Sequence, residues 1–286
     1  HDNRPFGGMQ VVLVGDFFQL PPVGPGKADW VFETDTWKDL DLQICYLEKI
    51  FRQEEEDPLT GILNEMRTGT ISEQSRQLLK SRMITPELDY EPIHLYPLNQ
   101  NVDMINEIRM ADLDEEFRMY KMRTEGREYE IEKLMKDVNL PVNLEVKIKE
   151  EVVLLKNAPD EGYVNGTQGQ VVAWKLDEED NRILNPIVKI HTSGREVLVR
   201  RATWKREDRN GSVLAELNQL PLKAAWAITV HKSQGMTLEV VQTDLSQAFT
   251  PGLGYVALSR VKSLEGLYLL GINEMALRMS PTALAF

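Results

Sequence analysis

The chain has 286 residues, 42% of them apolar and 27% charged, with one cysteine, four histidines and a net charge of −12. That is enough chain for about two domains and enough apolar residue for a core, so a disordered tail is excluded. One cysteine forms neither an intrachain disulfide framework nor a cysteine metal cage, and no apolar run reaches the roughly 18–20 residues that span a bilayer.

Residues 9–14 form a short apolar run closed by Gly15 and Asp16, which reads as a buried strand of a parallel sheet. Ligands of such sheets sit at the carboxyl ends of the strands, where Asp16 and Gln19 fall. A second strand is expected over residues 43–47. Leu59, Ile62, Leu63 and Met66 follow the i, i+3, i+4, i+7 spacing of one helix face, and Gly69 ends that helix. Residues 93–96 read as a strand and 101–112 as a helix, with irregular or helical surface structure over 113–140. From Leu144 the pattern turns to short strands punctuated by Gly162, Gly166 and Gly169, with hairpin-like breaks at 177–181 and at Ser193-Gly194. This is a small all-β unit inserted in an α/β domain. After Pro221 the α/β pattern returns, with strands over 238–241 and 267–270 and a helix over 255–261.

The net charge argues against non-specific nucleic-acid binding, but its distribution matters more. Residues 217–238 hold no acid and carry Lys223, His231 and Lys232, while acid gathers at residues 54–57 and 177–180, which read as solvated loop tips.

Three segments carry chemistry. In residues 15–22, the amide of Gln19 after a buried strand suits sensing a terminal phosphate, though a simple turn would look the same. In residues 227–237, Thr229, His231, Lys232, Ser233 and Gln234 surround Gly235. They are donors suited to phosphate oxygens, or equally a solvated loop. In residues 255–261, Arg260 projects from an otherwise apolar helix face, as a surface ion pair or as a cation at the rim of a nucleotide cleft. Arg200, Arg201, Lys205 and Arg206 around Trp204 read as a solvated edge beside a core tryptophan, with stacking of the tryptophan on a base as the alternative.

Together these segments resemble the Pif/RecD-like branch of the superfamily-one DNA helicases. Residues 5–23 are similar to the third family motif with its lead-in, Phe51-Arg52-Gln53 to the fourth, and residues 63–69 to the accessory motif that follows. Leu95 to Asn106, with Asn99, Val102 and Asp103, resembles a family strand-and-helix stretch. Val164-Asn165-Gly166-Thr167-Gln168-Gly169 matches the Asn-Gly-Thr-x-Gly turn. Residues 231–237 are similar to the fifth motif and 255–260 to the sixth. The matches run in family order nearly from end to end.

The resemblance implies a RecA-like α/β domain carrying an inserted SH3-like barrel. Residues 1–30 would be the edge of a first RecA-like domain, 31–143 and 219–286 the second domain, and 144–218 the barrel. It implies ATP with Mg²⁺ as cofactors. Gly15, Asp16 and Gly235 would lie at the nucleotide, Gln19 would sense its γ-phosphate, and Arg52 and Arg260 would contact it, Arg260 as the arginine finger. Asn99, Thr229, His231, Lys232, Ser233 and Gln234 would face single-stranded DNA. A monomeric motor would act 5′→3′ at junctions of single and double strands. It would act inside the cell, in prokaryotic cytoplasm or in a eukaryotic nucleus or mitochondrion.

The sequence departs from the family in lacking a Gly-x-x-x-x-Gly-Lys-Ser/Thr phosphate loop. Gly24-Pro25-Gly26-Lys27 offers only a faint likeness, with Pro21 where the first glycine belongs and Ala28 where a hydroxyl belongs. The acidic Mg²⁺ motif is missing too, and the opening on His1 reads as a cut. The expectation is a motor half that is inactive by itself. The alternatives are a non-catalytic binding product and the helicase part of a relaxase- or exonuclease-linked protein.

Overall fold

The computed structural model describes residues 4–20, 30–40, 42–47, 52–54, 56–85, 87–97, 102–138, 140–177 and 183–286. In chain order the elements are α1 (Asp35–Asp39), α2 (Pro58–Thr68), α3 (Glu73–Ser81), β1 (Ile93–Tyr96), α4 (Val102–Asp112), β2 (Phe117–Lys121), β3 (Arg123–Gly126) and α5 (Glu128–Val138). They continue with β4 (Asn143–Lys147), β5 (Glu151–Leu154), β6 (Gln168–Leu176), β7 (Leu184–Ile190), β8 (Glu196–Leu198), β9 (Ala202–Glu207) and β10 (Val213–Gln219). The last are β11 (Leu222–Ala224), β12 (Ala227–Thr229), β13 (Val241–Leu245), α6 (Leu253–Ser259), β14 (Leu267–Ile272) and α7 (Pro281–Ala285). Two compact units result, residues 1–85 with 243–286 and residues 86–242, a division drawn differently from the one the sequence suggests.

In the first unit, α2 forms where expected and for local reasons. Asp57 caps it by accepting from the Leu59 amide at 2.8 Å, and Pro58 opens its first turn. Leu59, Ile62, Leu63 and Met66 are buried along one face, and Gly69 ends it with φ +70°. Asp57 also accepts from the Leu264 amide, which fastens α2 to the loop before β14. α6 is buried at all seven positions. A Cβ on Gly254 would stand 2.0 Å from the Ala276 carbonyl oxygen, so only glycine lets α6 pack this closely. Trp30, Phe32 and Ala283 form an aromatic corner with Phe17, Phe18 and Trp37.

In the second unit β1 and β12 pair in parallel, His94 opposite Ala227 and Tyr96 opposite Thr229. Asn106 of α4 clamps this pair by donating to the Ala227 carbonyl at 2.8 Å and accepting from its amide at 2.9 Å. The inserted β part is antiparallel, a five-stranded sheet in the order β11-β5-β6-β7-β8. It closes over Val152, Leu154, Val171, Val188, Val199, Leu220 and Leu222. β11 lies past the boundary expected at residue 218. A second sheet, β3-β10-β9, packs its Ala215 and Leu217 against α5, with Trp204 half-buried there as the sequence suggests.

The α/β class stands, but four local expectations do not hold in full. Residues 11–14 form no strand, and Val12 and Val14 are 78% and 85% exposed. A strand is made by its neighbour's ladder, and this run has none among the described residues. Residues 42–47 are likewise non-strand and mostly exposed. Residues 113–140 hold the helix α5, within the irregular or helical expectation, but also the strands β2 and β3, which bury little beyond Tyr120, so no apolar alternation betrays them. The strand expected at 238 starts at 241.

Glu150 is fully buried beside the β4–β5 turn. One carboxyl oxygen accepts from the Lys147 amide at 2.9 Å, and the other has no partner among the described residues. Burial raises its pKa to about 8, against 4.5 for a free glutamate. The folded chain therefore keeps a proton that the unfolded chain releases as pH rises from about 4.5, and stability declines until about pH 8. Glu150→Gln keeps the acceptor and removes the titration. It should melt higher than wild type by roughly 1–3 kcal/mol of stability near pH 8, with the gap closing toward pH 4.5. Thermal melts across that window check it; a gap independent of pH would contradict it.

Candidate functional site

The residues singled out from the sequence gather in two groups, one in each unit. In the first unit the group is built from the loop of residues 15–20, the segment 52–54 and α6. Asp16 shapes the loop, accepting from the Phe18 amide at 3.0 Å through its side chain and from the Gln19 amide at 3.2 Å through its carbonyl. Its second carboxylate oxygen accepts from the Tyr255 hydroxyl at 3.3 Å. Phe18 meets the Tyr255 ring edge-on and lies under the Arg67 guanidinium. Asp16 and Phe18 thus hold the loop against Tyr255 of α6.

Arg52 donates to the Ser259 carbonyl at 2.8 Å, and the buried Gln53 donates to the Val261 carbonyl at 2.7 Å. These bonds tie residues 52–53 to the end of α6, where the last carbonyls lack helical partners. Arg260 does not project, as the helix pattern suggested. It is 3% exposed, with Nε donating to the Val256 carbonyl and Nη2 to the Ser259 hydroxyl. The reason is local: the helix ends at Ser259, and the guanidinium folds back onto the Val256 carbonyl, which it shares with the Ser259 hydroxyl.

Burial, then the nearby Arg52 guanidinium, pushes the Arg260 pKa down to about 10, while Tyr255 and Asp16 act the other way. Burial lowers Arg52 as well. Tyr255 is pushed up to about 12, by burial first and Asp16 next. Two arginines are therefore held close together in a partly dry setting that disfavours their charges. A multivalent anion relieves both burdens at once, and the planar guanidinium fork suits phosphate oxygens. Among the described residues no group of three or more His, Cys, Asp or Glu side chains converges to hold a metal ion. The donor set fits a phosphate group.

In the second unit the group is the turn after β12. Thr229 and Ser233 are fully buried, which corrects the expectation that they face a ligand. Their hydroxyls shape the turn: Thr229 accepts from the Lys232 amide at 3.1 Å, and Ser233 donates to the Val230 carbonyl at 2.8 Å. His231 and Gln234 are exposed at its tip, and Gly235 adopts φ +84°. Lys232 reaches α4, with Nζ 3.1 and 3.2 Å from the two carboxylate oxygens of Asp103. The barrel braces the turn from behind. Gly166 lies against the Thr237 backbone, and Gln168 donates to the Val240 carbonyl at 3.1 Å. Asn99 lies outside the described residues.

Sequence reasoning missed Gln53, the Tyr255–Asp16 bond and the Asp103–Lys232 pair. The signal for Gln53 was its place beside Arg52. For the other two no local signal exists, because the partners are 239 and 129 residues apart.

A family model described as PIF1-like helicase matches residues 1–77. The chain is 37% identical to an ATP-dependent DNA helicase Pif1 of Psychrobacter over 99% of its own length and 51% of the relative's. It is 34% identical to the human ATP-dependent DNA helicase PIF1, over 99% and 44%. The chain thus spans about half the length of the curated relatives it matches. Among solved structures, Pif1 helicase from Candida albicans matches with a TM-score of 0.67 at 32% identity, covering 100% of this chain and 69% of that one. Bacteroides Pif1 in complex with ADP-AlF4 matches with 0.81 at 30%, covering 99% and 67%. Bacteroides Pif1 bound to ssDNA matches with 0.57 at 29%, covering 99% and 67%.

Proposed function

The chain belongs to the PIF1-like helicase family, and on that premise we propose that it supplies the second half of an ATP-driven motor on single-stranded DNA. The observation that carries this reading is the convergence of Arg52 and Arg260 in a partly dry corner facing the Asp16–Gln19 loop. Both guanidinium groups are anchored on acceptors at the end of α6, and their planar forks suit phosphate oxygens.

In this reading residues 1–30 are the edge of a first RecA-like domain, and the exposed apolar run 11–14 is a surface that the rest of the complete protein covers. Residues 31–143 and 219–286 are the second domain, and 144–218 its SH3-like insertion. Mg-ATP, when bound, supplies the phosphoryl transfer that drives the motor. Gln19 reads the presence of the γ-phosphate. Arg52 and Arg260 neutralise the charge that builds up on it, and their bonds to Ser259 and Val256 hold the forks in place beforehand. His231, Lys232 and Gln234 face the DNA backbone, and Gly235 lets the chain approach it. We assign the motor to DNA inside the cell, acting as a monomer, 5′→3′, at junctions of single and double strands.

The test is steady-state ATP turnover. The complete protein should hydrolyse ATP, faster with single-stranded DNA, and unwind a duplex bearing a 5′ overhang. Residues 1–286 alone, without a phosphate loop, should show no DNA-stimulated turnover. A complete protein that binds DNA but leaves ATP intact would make this chain a binding module instead.

A further inference from the structure

The Asp103–Lys232 pair has a feature that a chance surface contact lacks. Asp103 sits on α4 one turn before Asn106, whose two bonds to Ala227 fix the helix against β12. The lysine side of the pair is fixed just as firmly. The Lys232 amide is bound by Thr229, and the next residue, Ser233, is tied to Thr229 and Val230. Both backbones are set before the side chains meet, so the carboxylate is delivered to the ammonium by the fold. The ammonium lies nearly equidistant from the two oxygens, at 3.1 and 3.2 Å. A phosphate presents the same two-oxygen edge to a lysine.

A second lysine belongs to this arrangement. Lys223 on β11 is half-buried, held by the pairing of β11 with β5. Its pKa is lowered by burial first and by Lys232 next, with Asp103 opposing. Two cations thus lie within electrostatic reach of one carboxylate.

We propose that Lys223 and Lys232 form a phosphate site for the nucleic-acid backbone and that Asp103 occupies it as a resident stand-in until a phosphate displaces it. The proposal rests on the reading of this turn as DNA-facing and adds Lys223 and Asp103 to it. The Asp103 side chain is 69% exposed, so it can swing away without breaking the core. The pair's strength is that of an exposed ion pair, about 0.2–1 kcal/mol, so the stand-in weakens DNA binding modestly without blocking it. A motor that must release each phosphate in order to step is served by such a competitor.

The experiment uses residues 1–286 with a fluorescein-labelled oligothymidylate, read by anisotropy across salt concentrations, with a thermal melt for each variant. Asp103→Asn should tighten binding roughly two- to five-fold at low salt, the gain shrinking as salt rises. Lys223→Gln, which keeps most of the buried stem, should weaken binding and reduce the salt slope by about one counterion, as Lys232→Ala does. In a Lys232→Ala background, Asp103→Asn should lose most of its effect. If Lys232→Ala weakens binding while Asp103→Asn leaves it unchanged or weaker, the stand-in is overturned and the DNA-facing reading survives. If Lys232→Ala leaves affinity and slope untouched, the DNA-facing reading itself fails and the proposal falls with it. A Lys223→Gln protein that melts like wild type and binds like wild type removes Lys223 from the site.

Discussion

Replacing Arg260 by alanine in the complete protein should lower kcat by about three orders of magnitude or more, the scale on which an arginine finger acts. Stability should change far less. The guanidinium gives up two hydrogen bonds, to Val256 and Ser259, but its removal also ends the desolvation of a charge and its repulsion from Arg52. These effects oppose one another, as they do when a poorly compensated buried charge is deleted. Arg260→Lys should not restore turnover. Lysine carries one charged nitrogen and lacks the fork whose Nε and Nη2 fix the side chain against α6. Single-turnover hydrolysis beside a melting curve checks both halves of the expectation. Turnover near wild type, or an unfolded variant, would make Arg260 a structural residue.

Gly166→Ala should be among the most damaging single changes in the second unit. Gly166 has φ +96°, where an L side chain is strained, and a Cβ there would stand 2.3 Å from the Thr237 carbonyl oxygen and 2.8 Å from its nitrogen. Backbone cannot yield as a flexible side chain does. The turn that would have to move is pinned by Asn165 to Asn157, by Gly166 to Leu154 and by Gln168 to Val240. Positive φ alone costs about 1–3 kcal/mol, and the overlap adds to it, so a loss of about 3 kcal/mol or more is expected. Denaturant unfolding should show a lower midpoint with an unchanged slope. Because Thr237 closes the turn that carries His231 and Lys232, whatever protein still folds should also bind DNA more weakly. A midpoint within experimental error of wild type would mean that the turn gives way freely.

Gly166 also shows what kind of information a sequence carries. It was picked out as part of an Asn-Gly-Thr turn, and its φ bears out the need for glycine; that Thr237 lies against it is a contact across 71 residues that no local pattern contains. Helix α2 was legible because periodicity, an N-cap and a terminal glycine all speak within a dozen residues. The apolar run at 11–14 was misread for the opposite reason. Its composition says that it should be covered, and only a partner element can say by what. β2 and β3 were missed because burial falls almost wholly on Tyr120, and their remaining side chains face solvent with mixed charge. At the candidate site, residue types were readable and their states were not. Nothing in the order of residues 255–260 says that Arg260 turns back onto Val256, or that Arg52, 208 positions earlier, lies close enough to press on its charge.

The account stands or falls on whether these two arginines answer to the phosphate being transferred. The direct measurement is the affinity of the complete protein for ADP with aluminium fluoride, compared with ADP alone, in wild type, Arg52→Ala and Arg260→Ala. Wild type should prefer the transition-state mimic strongly. Arg260→Ala should lose most of that preference, and Arg52→Ala part of it, while the affinity for ADP stays nearly the same in all three. A preference that survives in both variants would contradict the account, whatever their turnover.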